Sequence, residues 1–160
     1  MKKVIVVCGA PCSGKTTLAK ILVKKLDAIY IGLDEVKKID KAIVIGYDEE
    51  RKVEVIDEDK YSDAVARIIK KSKKPVVIDL HFAYEVDPKF VDLCVVCRCN
   101  LKELRRRMEE RGYPEKKIRE NLEAEIFEEF GTGAREKGHK IIEVNTTSPI
   151  DSKIIKYILD

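Results

Sequence analysis

Nine residues near the start of the chain are of the types that bind phosphate. Residues 9–17 read Gly-Ala-Pro-Cys-Ser-Gly-Lys-Thr-Thr, and the first eight fit the pattern GxxxxGK[ST]. The glycines let backbone N–H groups turn toward an anion, and a following helix N-terminus adds partial positive charge. We expect Lys15 to reach the β- and γ-phosphates of ATP, Thr16 to ligate Mg²⁺ and Thr17 to contact the α-phosphate. The predicted nucleotide-binding residues of this phosphate loop are Gly9, Pro11, Cys12, Ser13, Gly14, Lys15, Thr16 and Thr17.

The residues on either side of the loop support this interpretation. The apolar run 4–7 before the loop is typical of a strand buried on both faces of a parallel sheet. After the loop, Leu18, Ile21 and Leu22 recur at helical spacing. The alternative is a chance match on a structural glycine-rich turn, which the strand and the helix together disfavour.

Two polar residues follow a second buried run and are candidates for the chemistry. Asp79 ends the run 76–78, so we expect it to hold Mg²⁺ together with Thr16. The alternative for Asp79 is a helix cap or a surface ion pair. His81, two residues on, is predicted to face the γ-phosphate or an attacking water, although a lone histidine is more often a structural hydrogen-bonding group.

Two arginines are predicted to stabilise the charge on a transferring phosphoryl group. Arg107 and Arg111 lie four residues apart, so they share one helix face, and Arg111 precedes a break at residues 112–114 that suits a small lid. The alternative is a solvated basic face paired with neighbouring glutamates. The predicted catalytic residues are Lys15, Asp79, His81, Arg107 and Arg111, with Arg111 also assigned to nucleotide binding.

The five cysteines are predicted to be core residues. Cys94 and Cys97 occupy a β-prone run, so they face opposite sides of a strand, and no second cysteine or histidine pair completes a tetrahedral metal site. Cys12 differs because it lies inside the phosphate loop beside a helix N-terminus. We expect thiol alkylation to block ATP binding and ATP to protect against alkylation.

Composition limits the class of protein. The chain has 160 residues and a formal net charge of +3, from 32 basic and 29 acidic residues. We expect a single domain spanning residues 1–160. No apolar run is long enough to span a membrane, so we expect a cytoplasmic protein. The small net charge leaves direct contact with RNA open.

Alternating strand and helix patterns predict an α/β fold with a parallel sheet. Residues 46–57 lack a clear period and are interpreted as a mobile insertion, and residues 131–138 as a loop. We expect Asn100 and Glu103 to form a capping box and Ser148 to cap the last helix. The predicted strands are 4–7, 28–31, 76–78, 92–97 and 140–144, and the predicted helices are 16–25, 34–38, 59–72, 100–111, 114–130 and 148–159.

The sequence resembles the adenylate kinase isoenzyme 6 family, called CINAP in human cells, and its archaeal relatives. The Asp-x-His motif at 79–81 and the Arg-Gly-Tyr-x-Glu-Lys-Lys motif at 111–117 carry most of the specificity. The matching stretches, between residue 4 and about residue 130, are 9–17, 46–50, 56–59, 77–81 and 111–118, together with Asn121 and 125–127.

The resemblance implies a three-layer P-loop fold with a five-stranded parallel sheet of order 2-3-1-4-5. It also implies an acceptor-nucleotide region at about 32–56 and a lid at about 110–120. The implied activity is reversible phosphoryl transfer from Mg²⁺-bound ATP to AMP, with slow ATP hydrolysis, and Asp79 and His81 would form a variant Walker B element. The resemblance further implies a role in small ribosomal subunit maturation, through a platform ribosomal protein on the pre-ribosome.

The sequence departs from the family pattern at two places. Cys12 and Ser13 replace smaller or apolar residues that are common in the family's loop. After Phe130 the match fades, so the adenine-seating segment near 145–148 is assigned by position alone.

The motifs and the resemblance together predict an ATP:AMP phosphotransferase, and the alternative is an ATPase switch for a ribosomal partner with little kinase activity. A kinase for another small acceptor is a third interpretation, since fold does not fix function.

Overall fold

The computed structural model describes residues 2–160, which form seven strands, seven α-helices and three short 3-10 helices. The strands are β1 (Val4–Gly9), β2 (Ile29–Ile31), β3 (Val44–Asp48), β4 (Val53–Ile56), β5 (Val76–Asp79), β6 (Leu93–Arg98) and β7 (Ile141–Asn145). The helices are α1 (Lys15–Leu26), α2 (Leu33–Ile39), α3 (Glu58–Lys71), α4 (Leu101–Glu110), α5 (Glu115–Ile126), α6 (Glu129–Lys137) and α7 (Ser152–Leu159).

Five of the strands form one parallel sheet in the order β2-β5-β1-β6-β7. Counted along the chain without β3 and β4, this is the predicted order 2-3-1-4-5, so the prediction of a parallel α/β sheet is confirmed. The central strand β1 is buried along its whole length because helices cover both faces of the sheet.

Each face of the sheet has its own apolar core. Leu18 and Leu22 of α1 pack with Ile155 and Ile158 of α7 on one face. The other face is covered by α3, α4, α5 and α6, which contribute buried side chains such as Tyr61. Helices on both faces of a mostly parallel sheet give the three layers of an α/β protein.

The cysteine prediction is confirmed, since all five cysteines are buried and unbridged. Cys94 and Cys97 lie in the cores on opposite faces of the sheet, as the strand period requires. The Cys8 and Cys94 sulfurs lie 3.6 Å apart in one of these cores.

The insertion predicted over residues 46–57 is instead ordered as an antiparallel hairpin of β3 and β4. The sequence hides it because β3 is half-buried or exposed throughout, so it lacks the apolar alternation of a strand with one buried face. Arg51 fixes the hairpin tip against α5 with a two-pronged contact to Glu120 at 2.7 and 2.8 Å, and also pairs with Asp48. Lys116 pairs with Glu50 at 2.7 Å. We call these four interactions the hairpin–α5 latch.

The predicted loop at 131–138 is also wrong, because most of it is helix α6. Its glycines serve packing: a Cβ on Gly133 would approach the Tyr84 ring to 2.8 Å. The predicted long helix 114–130 is split, since α5 ends at Ile126 and Glu128 adopts a left-handed conformation with φ of 54°.

Two predicted helix starts are corrected. Asn100 caps α4 by accepting from the backbone of Lys102, but Glu103 pairs with Arg106 and Arg107 and makes no capping-box bond to Asn100. Asp151, not Ser148, caps the last helix. Among residues 2–160, no helix is both long and apolar enough to cross a membrane.

Candidate active site

The phosphate loop bends between the end of β1 and the start of α1. Gly9 has φ of 141°, and a Cβ there would meet the Cys97 carbonyl oxygen at 2.7 Å, so only glycine fits. Gly14 has φ of 98° and stands immediately before α1. Cys12 also has positive φ, at 67°, which is uncommon outside glycine and is typical of strained functional loops.

Lys15 is buried and points back over the loop. Its Nζ donates to the Ala10 carbonyl at 2.9 Å. Burial lowers the pKa of Lys15, while the negative charge of Asp79 acts in the other direction. The positive charge of this buried ammonium is poorly neutralised, because its hydrogen-bond partner is a neutral carbonyl. A phosphate bound in the loop would neutralise it.

Asp79 is the focus of a short hydrogen-bond network. Thr16 Oγ1 donates to Asp79 Oδ2 at 2.7 Å, and the Tyr30 hydroxyl donates to the same oxygen at 2.6 Å. Neither bond uses Asp79 Oδ1. Burial, followed by the hydrogen bond to the Asp79 carboxylate and its negative charge, raises the pKa of Tyr30 well above its usual range, so its hydroxyl stays protonated.

The residues at this point fit Mg²⁺. The ion prefers oxygen ligands and keeps several waters, so one hydroxyl and one carboxylate suffice beside substrate phosphates. Thr16 and Asp79 supply those two groups in direct contact. Across residues 2–160, no group of three or more His, Cys, Asp or Glu side chains is placed to hold a metal ion.

A pocket of about 280 Å³ opens in front of this network. It joins the phosphate loop to the end of β2, the start of α2 and the turn before α5. Its lining residues are Pro11, Cys12, Gly14, Lys15, Thr16, Thr17, Tyr30, Gly32, Leu33, Asp79, Leu80, His81, Arg111 and Tyr113.

Most of the residues predicted from the sequence meet in this pocket. Lys15, Asp79, His81 and Arg111 all line it, together with most of the predicted phosphate loop. Gly9 and Ser13 lie behind the lining: Gly9 packs on Cys97, and Ser13 is fully buried with its hydroxyl unpartnered.

Arg107 is not brought into the pocket. Its guanidinium donates to the Cys12 carbonyl at 3.2 Å, to the carbonyls of Thr146 and Thr147 at 3.0 and 2.9 Å, and to Glu103 at 3.0 Å. The expected contact with a transferring phosphoryl group is therefore replaced by a tie between the phosphate loop and the segment after β7. Thr146 strengthens the tie through a hydroxyl bond to the Ser13 carbonyl.

His81 faces the pocket as a neutral imidazole. Burial and the positive charges of Lys15 and Lys117 lower the pKa of His81 to about 3. Its ring packs edge-on against Phe82, with ring centroids 4.7 Å apart. A neutral imidazole with so low a pKa is a weak general base, but it can accept a hydrogen bond and orient a water.

The predicted lid begins as a tight turn from α4 into α5. Gly112 has φ of 71°, and the Arg111 and Tyr113 side chains line the pocket on either side of it. The Lys117 ammonium lies 3.8 Å from the centroid of the Tyr113 ring. The segment predicted as a lid is therefore a single turn followed by the first turns of helix α5.

The sequence interpretation did not name Tyr30 or Leu80, and it placed Gly32, Leu33 and Tyr113 only within the predicted acceptor region and lid, not as site residues. Tyr30 could have been found, because it stands near the carboxyl end of a parallel strand, at the sheet edge where Asp79 also lies. Tyr113 belongs to the motif at 111–117, whereas Leu33 carries no such signal because its direction depends on tertiary packing.

The fold and the pocket define a P-loop nucleotide-binding protein. Residues 5–128 match the family model described as an AAA domain. The chain is 36% identical over 158 residues to a Thermococcus kodakarensis protein named "Putative adenylate kinase", covering 98% of this chain and 84% of that protein. It is 33% identical over 150 residues to the Saccharomyces cerevisiae adenylate kinase isoenzyme 6 homolog FAP7, covering 92% and 75%.

The chain thus belongs to the adenylate kinase isoenzyme 6 family, and the resemblance noted from its motifs is confirmed. Its structure is also similar to the Bacillus subtilis YorR protein, solved in complex with phosphorylated GDP, with a TM-score of 0.62 and 16% identity. That likeness covers 98% of this chain and 94% of YorR, and shows the shared fold.

Proposed function

We propose that the protein is a phosphotransferase that moves the γ-phosphoryl group of Mg²⁺-bound ATP to AMP. The observation that carries this proposal is the continuity of the pocket. One cavity runs from Lys15 and Thr16 to Tyr30, Gly32 and Leu33, at the entrance of the predicted acceptor region. Donor and acceptor phosphates would therefore meet without a covalent intermediate. The names of the relatives support the same reaction.

The catalytic contribution of the chain is positioning and charge. Lys15 binds the β- and γ-phosphates, and Arg111 neutralises charge on the transferring group from the lid side. Thr16 and Asp79 would hold Mg²⁺, which would supply positive charge to the phosphates of the bound nucleotide. Tyr30 keeps Asp79 in place through the 2.6 Å hydrogen bond. Arg107 holds the phosphate loop against the segment at 145–148, where we place the adenine.

The test is a count of nucleotides. Purified protein is incubated with ATP and Mg²⁺, with and without each nucleoside monophosphate, and all nucleotides are followed by chromatography. Acceleration by AMP with two ADP formed per ATP supports the phosphotransferase. Slow, AMP-independent conversion of ATP to ADP and phosphate contradicts it and favours the second candidate.

The second candidate is an ATPase switch, and neutral His81 at the pocket wall is the observation that favours it. An imidazole that stays uncharged at pH 7 can orient a water toward the γ-phosphate. The family resemblance implies a small-subunit platform ribosomal protein as partner. His81→Ala should then reduce hydrolysis and partner release more than ATP binding. A pull-down with the platform protein that fails both with and without ATP would exclude this function.

A further inference from the structure

The edge of the sheet opposite the pocket collects lysines. The ends of α1 and α3 meet the starts of β1 and β5 there, because the Lys3 carbonyl accepts from the backbone of Val76 and the Pro75 carbonyl accepts from Ile29. The lysines of these segments form a patch that we call the lysine edge: Lys2, Lys3, Lys24, Lys25, Lys70, Lys71, Lys73 and Lys74.

The lysine edge concentrates positive charge. Residues 2–3, 24–28 and 70–75 contain eight lysines and one acidic residue, Asp27. Asp92 and Asp160 lie at the same edge, and the eight lysines still exceed the three aspartates. The whole chain carries a formal net charge of only +3, so the rest of the molecule is net negative. A charge distribution this uneven directs a polyanion to one face.

Most of these lysines are free to contact a ligand. Lys74 pairs with Asp27 at 2.9 Å, and Lys2 and Lys3 donate to backbone carbonyls. In the part of the chain that the structure describes, the other five are exposed and have no carboxylate at ion-pair distance: Lys24, Lys25, Lys70, Lys71 and Lys73. Helix dipoles favour cations in the last turns of α1 and α3, but Lys73 lies beyond the end of α3.

An aromatic ring lies among these cations. The ammonium groups of Lys70 and Lys89 lie 5.1 and 5.0 Å from the centroid of the half-buried Phe90 ring. Lys89 also pairs with Asp87, whereas Lys70 has no such partner among residues 2–160. Proteins that bind single strands combine cations for the phosphates with aromatic rings for the bases.

We propose that the lysine edge binds the phosphate backbone of a single-stranded nucleic acid. A membrane surface fits less well, because interfacial binding needs an apolar face. None of the exposed large apolar side chains of residues 2–160 belongs to the segments 2–3, 24–28, 70–75 or 89–90. An acidic peptide would match the charge but would bring no base to the Phe90 ring.

This site is separate from the nucleotide pocket. Strand β1 runs from Val4, beside the lysine edge, to Gly9 in the phosphate loop. At about 3.3 Å per residue the two sites are roughly 16 Å apart, on opposite edges of one sheet. Nucleic acid and nucleotide can therefore bind together, and the inference does not depend on the proposed phosphotransferase.

The test measures binding of a fluorescein-labelled RNA strand of roughly 20 nucleotides to the full chain, by fluorescence anisotropy at a series of salt concentrations. One triple variant combines Lys70→Gln, Lys71→Gln and Lys73→Gln. The control combines Lys60→Gln, Lys102→Gln and Lys153→Gln, which removes the same charge from exposed lysines in the first turns of α3, α4 and α7. Circular dichroism and thermal unfolding establish that both variants are folded.

We expect the lysine-edge variant to bind RNA at least about tenfold more weakly than wild type, and the control to stay within about threefold. The slope of log affinity against log salt should become shallower by about 2, because each phosphate contact on a single strand contributes about 0.7. Equal affinity for DNA of the same sequence would support contacts to the backbone alone. A preference for RNA would support the same site with a further contact to the 2′-hydroxyl.

Three results would overturn the proposal. Equal losses in the two triple variants would show that net charge, and not the lysine edge, attracts the RNA. Displacement of RNA by saturating Mg²⁺-bound ATP at matched ionic strength would place the strand in the nucleotide pocket. Absence of RNA and DNA binding at low salt would exclude the ligand class. Sedimentation of wild type, but not of the lysine-edge variant, with phosphatidylserine vesicles would then assign the patch to a membrane surface.

Discussion

At the scale of single residues, the site depends on a few side chains whose charge is poorly compensated before a ligand binds. Lys15 is buried with only the Ala10 carbonyl as a hydrogen-bond partner, and Arg111 faces the pocket from the lid. Because Lys15 is buried, its ammonium is already oriented and needs little reorganisation when a phosphoryl group moves.

Lys15→Ala tests this arrangement most directly. The substitution removes the ammonium that we assign to the β- and γ-phosphates, so turnover should fall by roughly 10²–10⁴. Steady-state rates of ATP consumption with AMP, compared with wild type and with Lys20→Ala on the exposed side of α1, provide the measurement. A loss of less than about threefold would remove Lys15 from the mechanism.

Tyr30→Phe tests the hydrogen-bond network at Asp79. The ring stays but one of two donors to Asp79 Oδ2 is lost, and a hydrogen bond to a charged group contributes about 1.5–3 kcal/mol. We expect about tenfold more Mg²⁺ to be needed for tight ATP binding, followed by calorimetry at a series of Mg²⁺ concentrations. Tyr47→Phe, on the exposed hairpin, is the control. An unchanged Mg²⁺ requirement would mean that Tyr30 does not position the carboxylate.

At the scale of secondary-structure elements, the hairpin–α5 latch connects the predicted acceptor region to the predicted lid. Arg51 holds Asp48 on its own hairpin and Glu120 on α5. The hairpin and α5 are therefore joined by hydrogen bonds between charged groups. Such a joint weakens with salt and with protonation of its carboxylates.

Arg51→Met should lower the unfolding temperature at neutral pH, and the difference from wild type should vanish in acid. Hydrogen bonds from the Arg51 backbone and guanidinium lower the pKa of Asp48, and the guanidinium lowers the pKa of Glu120. Depressed carboxyl pKa values contribute stability above the unfolded-state values, near pH 4, and that stability is lost as pH falls further.

Thermal unfolding of wild type, Arg51→Met and a Lys52→Met control between pH 3 and 8 measures this effect. The control removes the same charge from the neighbouring turn residue, which carries no recorded ion pair in the part of the chain described. A difference between Arg51→Met and wild type that persists unchanged at pH 3 would show that the latch is not electrostatic.

The elements also show where sequence interpretation ends. The five sheet strands are predictable because buried parallel strands are continuous apolar runs, as in residues 4–7 and 76–78. Helix α6 is not predictable in this way, because Gly131 and Gly133 are locally typical of a loop. Glycine is required at position 133 of the helix because its backbone packs closely on the Tyr84 ring. The hairpin is hidden because β3 lacks the apolar alternation of a half-buried strand, and its tip is fixed by ion pairs with a distant helix.

The candidate site also contains residues that could be predicted from the sequence and residues that could not. The phosphate loop and Asp79 were predictable because their roles follow from a local pattern and a strand end. Arg107 and Arg111 share a helix face, and the pattern does not distinguish them. Only the fold shows that Arg107 turns to the carbonyls of Cys12, Thr146 and Thr147, whereas Arg111 turns to the pocket.

At the scale of the whole molecule, a ligand that binds the folded state alone stabilises it by mass action. A ligand present at 100 times its dissociation constant raises the free energy of unfolding by about 2.7 kcal/mol. We expect Mg²⁺-bound ATP to raise the unfolding temperature by several degrees, and ATP with excess chelator to raise it less, because Thr16 and Asp79 then lack their ion. Differential scanning fluorimetry gives the measurement, with adenosine as control. Equal shifts with and without Mg²⁺ would contradict the assigned metal ligands.

Tyr30 has one more consequence, for attempts to redesign the protein. It stands at the entrance to the segment that would select the acceptor, yet its hydroxyl bonds the carboxylate assigned to Mg²⁺. A graft that replaced residues 29–56 with the equivalent segment of another kinase would also take a donor from Asp79. Acceptor choice in this scaffold is therefore not a transplantable module, unless the graft carries its own hydroxyl to that oxygen.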